Sequence, residues 1–337
     1  MKNVSSSKAP FAGDSHAPSP SPPADADAMR DHLQDILRKK LLIPLFQPVI
    51  DMQHGEVIGF EGLIRGPSDS PLHSPLNLFK VAGAHDLATQ IALLCRQGVL
   101  EHFAKLALPG KLFLNVSPGL LVNSDGLGAA TPDHLFEFGL SPDRIIIELT
   151  ENQPAYDYPL LRRAATHYRA HGFRIAIDDL GEGFSNLRLW TELHPQYIKI
   201  DRHFISGIDE NALKFQMVRS IHGLAEACAA HIIAEGIETA AEFTMLRDLG
   251  IAYGQGYFIA HPHEAPAAVP GAEVAQALAG RHISIFPGMQ PPRARATART
   301  VLRHVVPVSP ETLNDAVFQR LESQPDEHAV PVVKDGI

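Results

Sequence analysis

Carboxylates and amides recur at one kind of place in this sequence, the end of a short apolar run. Glu61 follows Glu56–Phe60, Asn115 follows Leu112–Leu114, and Glu148 follows Ile145–Ile147, with Glu151 three residues further on. Ile175–Ile177 leads into Asp178-Asp179, and Ile198 precedes Lys199, with Asp201 at the next same-face position. Ile232–Ala234 leads into Glu235, with Glu238 at the following turn, and Tyr253-Gly254 precedes Gln255. Carboxylates gathered within ~4–6 Å repel one another and rise in pKa unless a cation neutralises them. Oxygen donors select hard divalent ions, Mg²⁺, Mn²⁺ or Ca²⁺, whereas the lack of a Cys/His cluster disfavours structural zinc. Two adjacent aspartates suggest a bridging ligand between metals roughly 3.5–4 Å apart. Such a pair activates water and clamps both oxygens of an in-line phosphoryl displacement, with Lys199 positioning the water or offsetting phosphate charge. The pattern predicts a metal-dependent phosphoesterase.

The elements that must position these groups alternate along the chain. Apolar runs at Leu112–Val116, Arg144–Leu149, Arg174–Ile177, Tyr197–Ile200, Ile232–Ala234 and Gly256–Ile259 read as strands. Between them, Leu160–His171, Leu213–Ala230 and Ala240–Leu249 carry helical spacing, the last stopped by Gly250. This alternation implies parallel strands with helical crossovers. More than six such units in roughly 220 residues predict a closed β/α barrel rather than an open sheet. No glycine-rich dinucleotide turn follows the first strand, which weighs against a Rossmann fold. In a β/α barrel the strand C-termini converge on one face, where the active site lies.

Composition bounds the remaining choices. Among 337 residues, 29 Lys and Arg face 38 Asp and Glu, a formal charge of −9, which argues against a broad grip on DNA or RNA. Hydrophobic residues at 45% and charged residues at 20% are those of a globular chain. No apolar run approaches the ~18–20 residues of a membrane span. The first 28 residues have only Met1, Val4 and Phe11 as bulky apolar side chains, so no signal-peptide core is present. Cys95 and Cys228 cannot build a disulfide scaffold and read as buried, inert helix residues. A cytoplasmic protein is expected.

Residues 1–28 hold six Ser, six Ala and five Pro and read as a disordered leader. Folding is expected from Met29, where Leu33, Ile36, Leu37 and Leu41 recur at helical spacing. The barrel is assigned to 29–275 and a Pro- and Arg-rich connector to 276–309. In 310–337 a helix (Leu313, Val317, Leu321) precedes a short strand, Val330–Val333, like the start of a hairpin in a truncated module.

The motif residues resemble the EAL-domain family of cyclic-di-GMP phosphodiesterases. Its name motif is similar to Glu61-Gly62-Leu63-Ile64-Arg65, preceded by Phe46-Gln47-Pro48, and its Asn-x-Ser motif to Asn115-Val116-Ser117. Glu148–Glu151 matches its Glu-Leu-Thr-Glu stretch unaltered, and Asp178–Gly183 resembles its Asp-Asp-Phe-Gly-Thr-Gly loop. Lys199-Ile200-Asp201, Ala234–Thr239 and Gln255-Gly256-Tyr257 complete the series in order over about residues 42–263.

The resemblance implies a modified, TIM-like (β/α)8 barrel with one antiparallel strand. It implies hydrolysis of cyclic-di-GMP to linear pGpG with two Mg²⁺ or Mn²⁺ ions, in a homodimer. Glu61, Asn115, Glu148 and Asp178 would ligate one metal, with Asp178, Asp179 and Glu235 around the second. Glu235 would be ligand, general base or both, and Lys199 would contact the nucleophilic water. Arg65 would contact a phosphate and Gln47 a guanine base; Leu63, Asp201, Glu238 and Gln255 join the substrate-binding set. Glu151 would brace the Asp178–Gly183 loop. Gly62 stands at the motif's Ala, and Leu180 and Glu182 replace the loop's usual Phe and Thr.

The alternative is an inert member of the family that acts as a cyclic-di-GMP receptor; receptors of this kind usually lack several metal ligands, and none is missing here. Val306–Gly336 resembles the opening of a CBS module, which implies a longer signalling protein, with a diguanylate-cyclase-type domain as a further possibility. His85-Asp86 and His261-Pro262-His263 have no partners at metal-site spacing and read as structural.

Overall fold

In the computed structural model, residues 24–117, 132–149, 157–181, 186–280, 308–323, 331 and 332 are described. The chain divides into two units, Met1–Pro287 and Gly288–Ile337. The first described element of the first unit is helix α1 (Ala24–Lys39), which starts inside the segment read as leader. Leu33 and Ile36 are fully buried, whereas Leu41 lies beyond the helix end and is exposed.

Eight strands close a barrel in sequence order. Strand β1 (Ile43–Asp51) and strand β2 (Val57–Arg65) form an antiparallel hairpin, crossed to the next strand by α2 (Pro75–Ala84) and α3 (Ala88–Lys105). Then come β3 (Lys111–Asn115), α4 (Pro132–Glu137), β4 (Ile145–Leu149), α5 (Tyr158–Ala170) and β5 (Arg174–Leu180). After α6 (Asn186–Leu193) follow β6 (Tyr197–Ile200), α7 (Arg202–Ile205), α8 (Ala212–Ala227) and β7 (His231–Ala234). Helix α9 (Ala240–Leu249), β8 (Tyr253–Gly254) and α10 (Ala272–Ala279) end the unit's described elements. From β2 to β8 the strands run parallel, and β1 is antiparallel to both its neighbours. The closed mixed barrel is the one expected.

Local chemistry explains the element ends. Thr239 and Glu242 form a capping box at the start of α9, and Gly250, with φ 94°, ends it in the left-handed conformation. The run Gly256–Ile259, read as a strand, is instead a turn, and the eighth strand lies just before it. Gly256 causes this: a Cβ there would stand 2.2 Å from the backbone N and O of Ile237, so the chain is pressed against that segment. The Ile259 N–H then donates to the Gly256 carbonyl at 3.0 Å, and Phe258 packs on Phe243 without entering a ladder.

In the second unit the expected helix is α11 (Asn314–Ser323). Val308 and Val332 form one parallel bridge, not a hairpin, because a helical crossover between them permits parallel pairing. Cys95 is buried as expected, but Cys228 is exposed, since it caps the end of α8 rather than facing the core. Among the described residues no helix is long and apolar enough to cross a membrane.

Candidate active site

Strand residues two apart share a face, and this period builds the site. Phe113, Ile146, Ala176, Tyr197 and Ile233 join Val49 in an apolar cluster apart from the larger core. Two residues further along the same strands stand Asn115, Glu148, Asp178, Lys199 and Glu235. On β1, which runs the other way, the same step leads from Val49 back to Gln47. Tyr253 packs against the cluster, and Gln255 follows two residues later. Glu61 enters the layer by register, opposite Gln47 and Phe113. An apolar layer thus carries a polar one at the C-terminal ends of the parallel strands.

Strand β5 departs from this period where two carboxylates are needed. Its pairing with β6 shifts register between Ile177 and Leu180, and Asp179 has φ 52°. A regular strand would send Asp178 and Asp179 to opposite faces; the bulge brings them to one side. One oxygen from each of Asp178, Asp179 and Glu235 lies within 4.8 Å of the others. Gly181 follows with φ 118°, and a Cβ there would strike the Phe204 ring.

Lys199 is 1% exposed and stands at the centre of the layer. Its Nζ lies 2.7 Å from Glu235, 2.9 Å from Glu148, 3.1 Å from Asp178 and 3.3 Å from Glu61. Burial pushes its pKa down, but the surrounding carboxylates outweigh burial and hold the ammonium well above its ordinary range. Burial pushes Glu148 and Glu235 well above the usual carboxylate range; Lys199 opposes the shift, and neighbouring carboxylates add to it.

Glu148 Oε1 is held by the Lys199 ammonium at 2.9 Å, and Oε2 is buried without a hydrogen-bond partner among the described residues. Five carboxylates, Glu61, Glu148, Asp178, Asp179 and Glu235, are therefore set against one ammonium. That excess charge, and the unsatisfied Glu148 Oε2, fit a divalent cation held by oxygen donors.

Amides tie the layer to the cleft above it, a space of about 280 Å³. Gln255 donates to Glu61 at 2.6 Å and to Gln47 at 2.9 Å, and Gln47 donates to the Ala260 carbonyl at 2.9 Å. Asn115 donates to Glu61 at 3.1 Å. The cleft wall includes Gln47, Leu63, Asp201, Glu238 and Gln255 from the residues singled out in the sequence. Asp201 also caps α7, accepting from the His203 N–H at 2.8 Å. Arg65, at the end of β2, donates to the Ile64 carbonyl at 3.0 Å, and it is not among the residues of the wall. Glu151 and Glu182 lie outside the described residues.

Four wall residues received no role from the sequence: Arg202, Gly236, Gly256 and Tyr257. Arg202 directly follows the Lys199-Ile200-Asp201 motif and the other three lie inside quoted motifs, so proximity to assigned residues was the signal available. Among the described residues the only group of three His, Cys or acidic side chains placed for a metal is Asp178, Asp179 and Glu235. Among the described residues, His85, Asp86, His261 and His263 belong to no such group.

The EAL domain family model matches residues 30–262. The chain belongs to the EAL-domain family. An uncharacterized signaling protein of Caulobacter vibrioides is 31% identical over 234 residues, 69% of this chain and 29% of its own length. The probable cyclic di-GMP phosphodiesterase PdeB of Escherichia coli is 27% identical over 232 residues, 67% of this chain and 43% of its own. This EAL chain thus spans less than half the length of either relative. The manganese and cyclic-di-GMP complex of Klebsiella pneumoniae BlrP1 at pH 9.0 matches with TM-score 0.60 and 30% identity. That match covers 66% of this chain and 56% of the other.

Gly62, at the position of the alanine in the EAL motif, has a packing explanation. A Cβ there would lie 2.4 Å from Val99 Cγ1 on α3, so Val99 occupies the space of the missing methyl. Leu180, at the loop's usual Phe, is buried.

Proposed function

We propose that this EAL domain hydrolyses one phosphodiester bond of cyclic-di-GMP, giving linear pGpG. The observation that carries the reading is the ring of four carboxylates around Lys199, with Asp179 beside Asp178 and Glu235, open to a cleft at the strand C-termini. The five carboxylates exceed the one ammonium by four charges, the number that two Mg²⁺ or Mn²⁺ ions cancel. Glu61, Asn115, Glu148 and Asp178 would hold one ion, and Asp178, Asp179 and Glu235 the second. Bound there, the ions would supply positive charge to the attacked phosphate and acidify a water.

The chain's own groups do the rest. Glu235 keeps 15% of its side chain exposed, and its raised pKa suits it to take a proton from the attacking water. Lys199 holds Glu235 in place and offers positive charge where the phosphorane-like charge develops. Gln47 and Gln255, locked by their mutual hydrogen bond, present fixed polar edges to a base. Support comes from the relative in Escherichia coli named as a probable cyclic di-GMP phosphodiesterase and from the BlrP1 complex with manganese and cyclic-di-GMP. A homodimer, and further signalling domains in a longer protein, belong to the same reading.

The test is incubation of the protein with cyclic-di-GMP and Mg²⁺ or Mn²⁺, following pGpG. Turnover is expected, with Glu235→Ala reducing kcat by about 10²-fold or more while the dinucleotide still binds. Binding without hydrolysis under both metals would leave the receptor reading in its place.

A further inference from the structure

We propose that Arg202 is a phosphate contact of the cleft, its guanidinium passing from Glu238 to an oxygen of the bound phosphodiester. The inference rests on the hydrolase reading above and adds to it a residue that the motifs do not assign. Among the described residues that wall the cleft, Arg202 is the one cation. Asp179, Asp201, Glu235 and Glu238 wall it too, so an entering phosphodiester meets mostly like charge. Lys199 lies in the layer beneath, held by four carboxylates.

The position of Arg202 is built by its neighbours. Gly236, with φ 65°, turns the chain directly after Glu235. A Cβ on Gly236 would stand 2.5 Å from Arg202 Cγ, 2.6 Å from its Cβ and 2.9 Å from its Cδ. Glycine therefore serves twice, permitting the left-handed turn and leaving room for the arginine stem. The stem is fixed against backbone, and the head is free to change partner. Nη2 lies 2.8 Å from Glu238 Oε1, and the two side chains are 59% and 37% exposed. An ion pair this open to water holds its members weakly. The guanidinium fork matches two phosphate oxygens as well as it matches a carboxylate, so a phosphodiester competes for the same donors. Glu238 thus keeps the arginine aimed along the wall until substrate arrives.

The experiment compares wild type, Arg202→Met and Arg202→Lys with cyclic-di-GMP at saturating Mn²⁺, between about 50 and 500 mM NaCl. Thermal melting serves as the control for folding. Arg202→Met is expected to raise KM by about 10-fold or more, change kcat by less than about 3-fold, and flatten the rise of KM with salt. Arg202→Lys, which keeps the charge and loses the fork, should fall between the two. A KM and salt dependence equal to wild type in Arg202→Met would overturn the inference, and so would a loss confined to kcat. A wild-type protein that neither binds nor hydrolyses the dinucleotide would overturn the hydrolase reading, and this inference with it.

Discussion

Lys199 and the carboxylates around it link stability to both pH and metal. Glu148 and Glu235 are held well above the ordinary value of 4.5 in the folded chain, so folding raises their affinity for protons. Stability from this source is fully present below the unfolded pKa and is lost as pH rises toward the folded values. In chelator, Tm should therefore fall as pH is raised from about 5 to 8. Mn²⁺ competes with protons for the same oxygens, so the Tm difference between Mn²⁺ and chelator should widen over that range. Thermal melts at each pH check this, and a constant difference would refute the linkage. At this scale the sequence was legible wherever a side chain ends a strand: Glu61, Glu148, Asp178 and Glu235 meet at one lysine. Arg202 was not legible, because its aim depends on Gly236, which is distant in sequence, and on an ion pair with Glu238.

Element geometry explains why motif order translated into one site. A period of two, applied to strands of common register, lifts one residue per strand above the apolar layer. That regularity could be read along the chain. The exceptions could not: β5 shifts register between Ile177 and Leu180, and Gly256 is pressed against the Ile237 backbone where the chain turns. Gly62 belongs to the same class, since it is explained by Val99 on the facing helix. Gly62→Ala, the family's own residue, should destabilise this chain by about 1–3 kcal/mol through overpacking. Gly62→Ala combined with Val99→Ala should recover part of that loss. Denaturant midpoints of the two variants check the coupling, and additive losses would show that Val99 is not the obstacle.

The whole molecule depends on closure. Strand β1 runs against its neighbours and still contributes Gln47 to the polar layer, because it joins β2 and β8 across the seam. Helix α1 extends this unit, with Leu33 and Ile36 fully buried. A chain beginning at Leu41 should lose at least about 4 kcal/mol, roughly 2 kcal/mol or more for each of those side chains. A chain ending at Pro287 should keep its Tm within about 2 °C, since residues 288–337 form a separate unit. Melts of the two truncations measure both expectations. The sequence alone determined the strand and helix alternation, the identity of the oxygen donors and their order, because each is encoded over a few neighbouring residues. Only the tertiary structure decided that the donors share one buried ammonium, that Asp179 joins Asp178 on one side, and that Arg202 walls the cleft. Those are distances between strands and loops far apart in the chain, and they exist only once the barrel has closed and its bulges and glycine turns have set each side chain's direction.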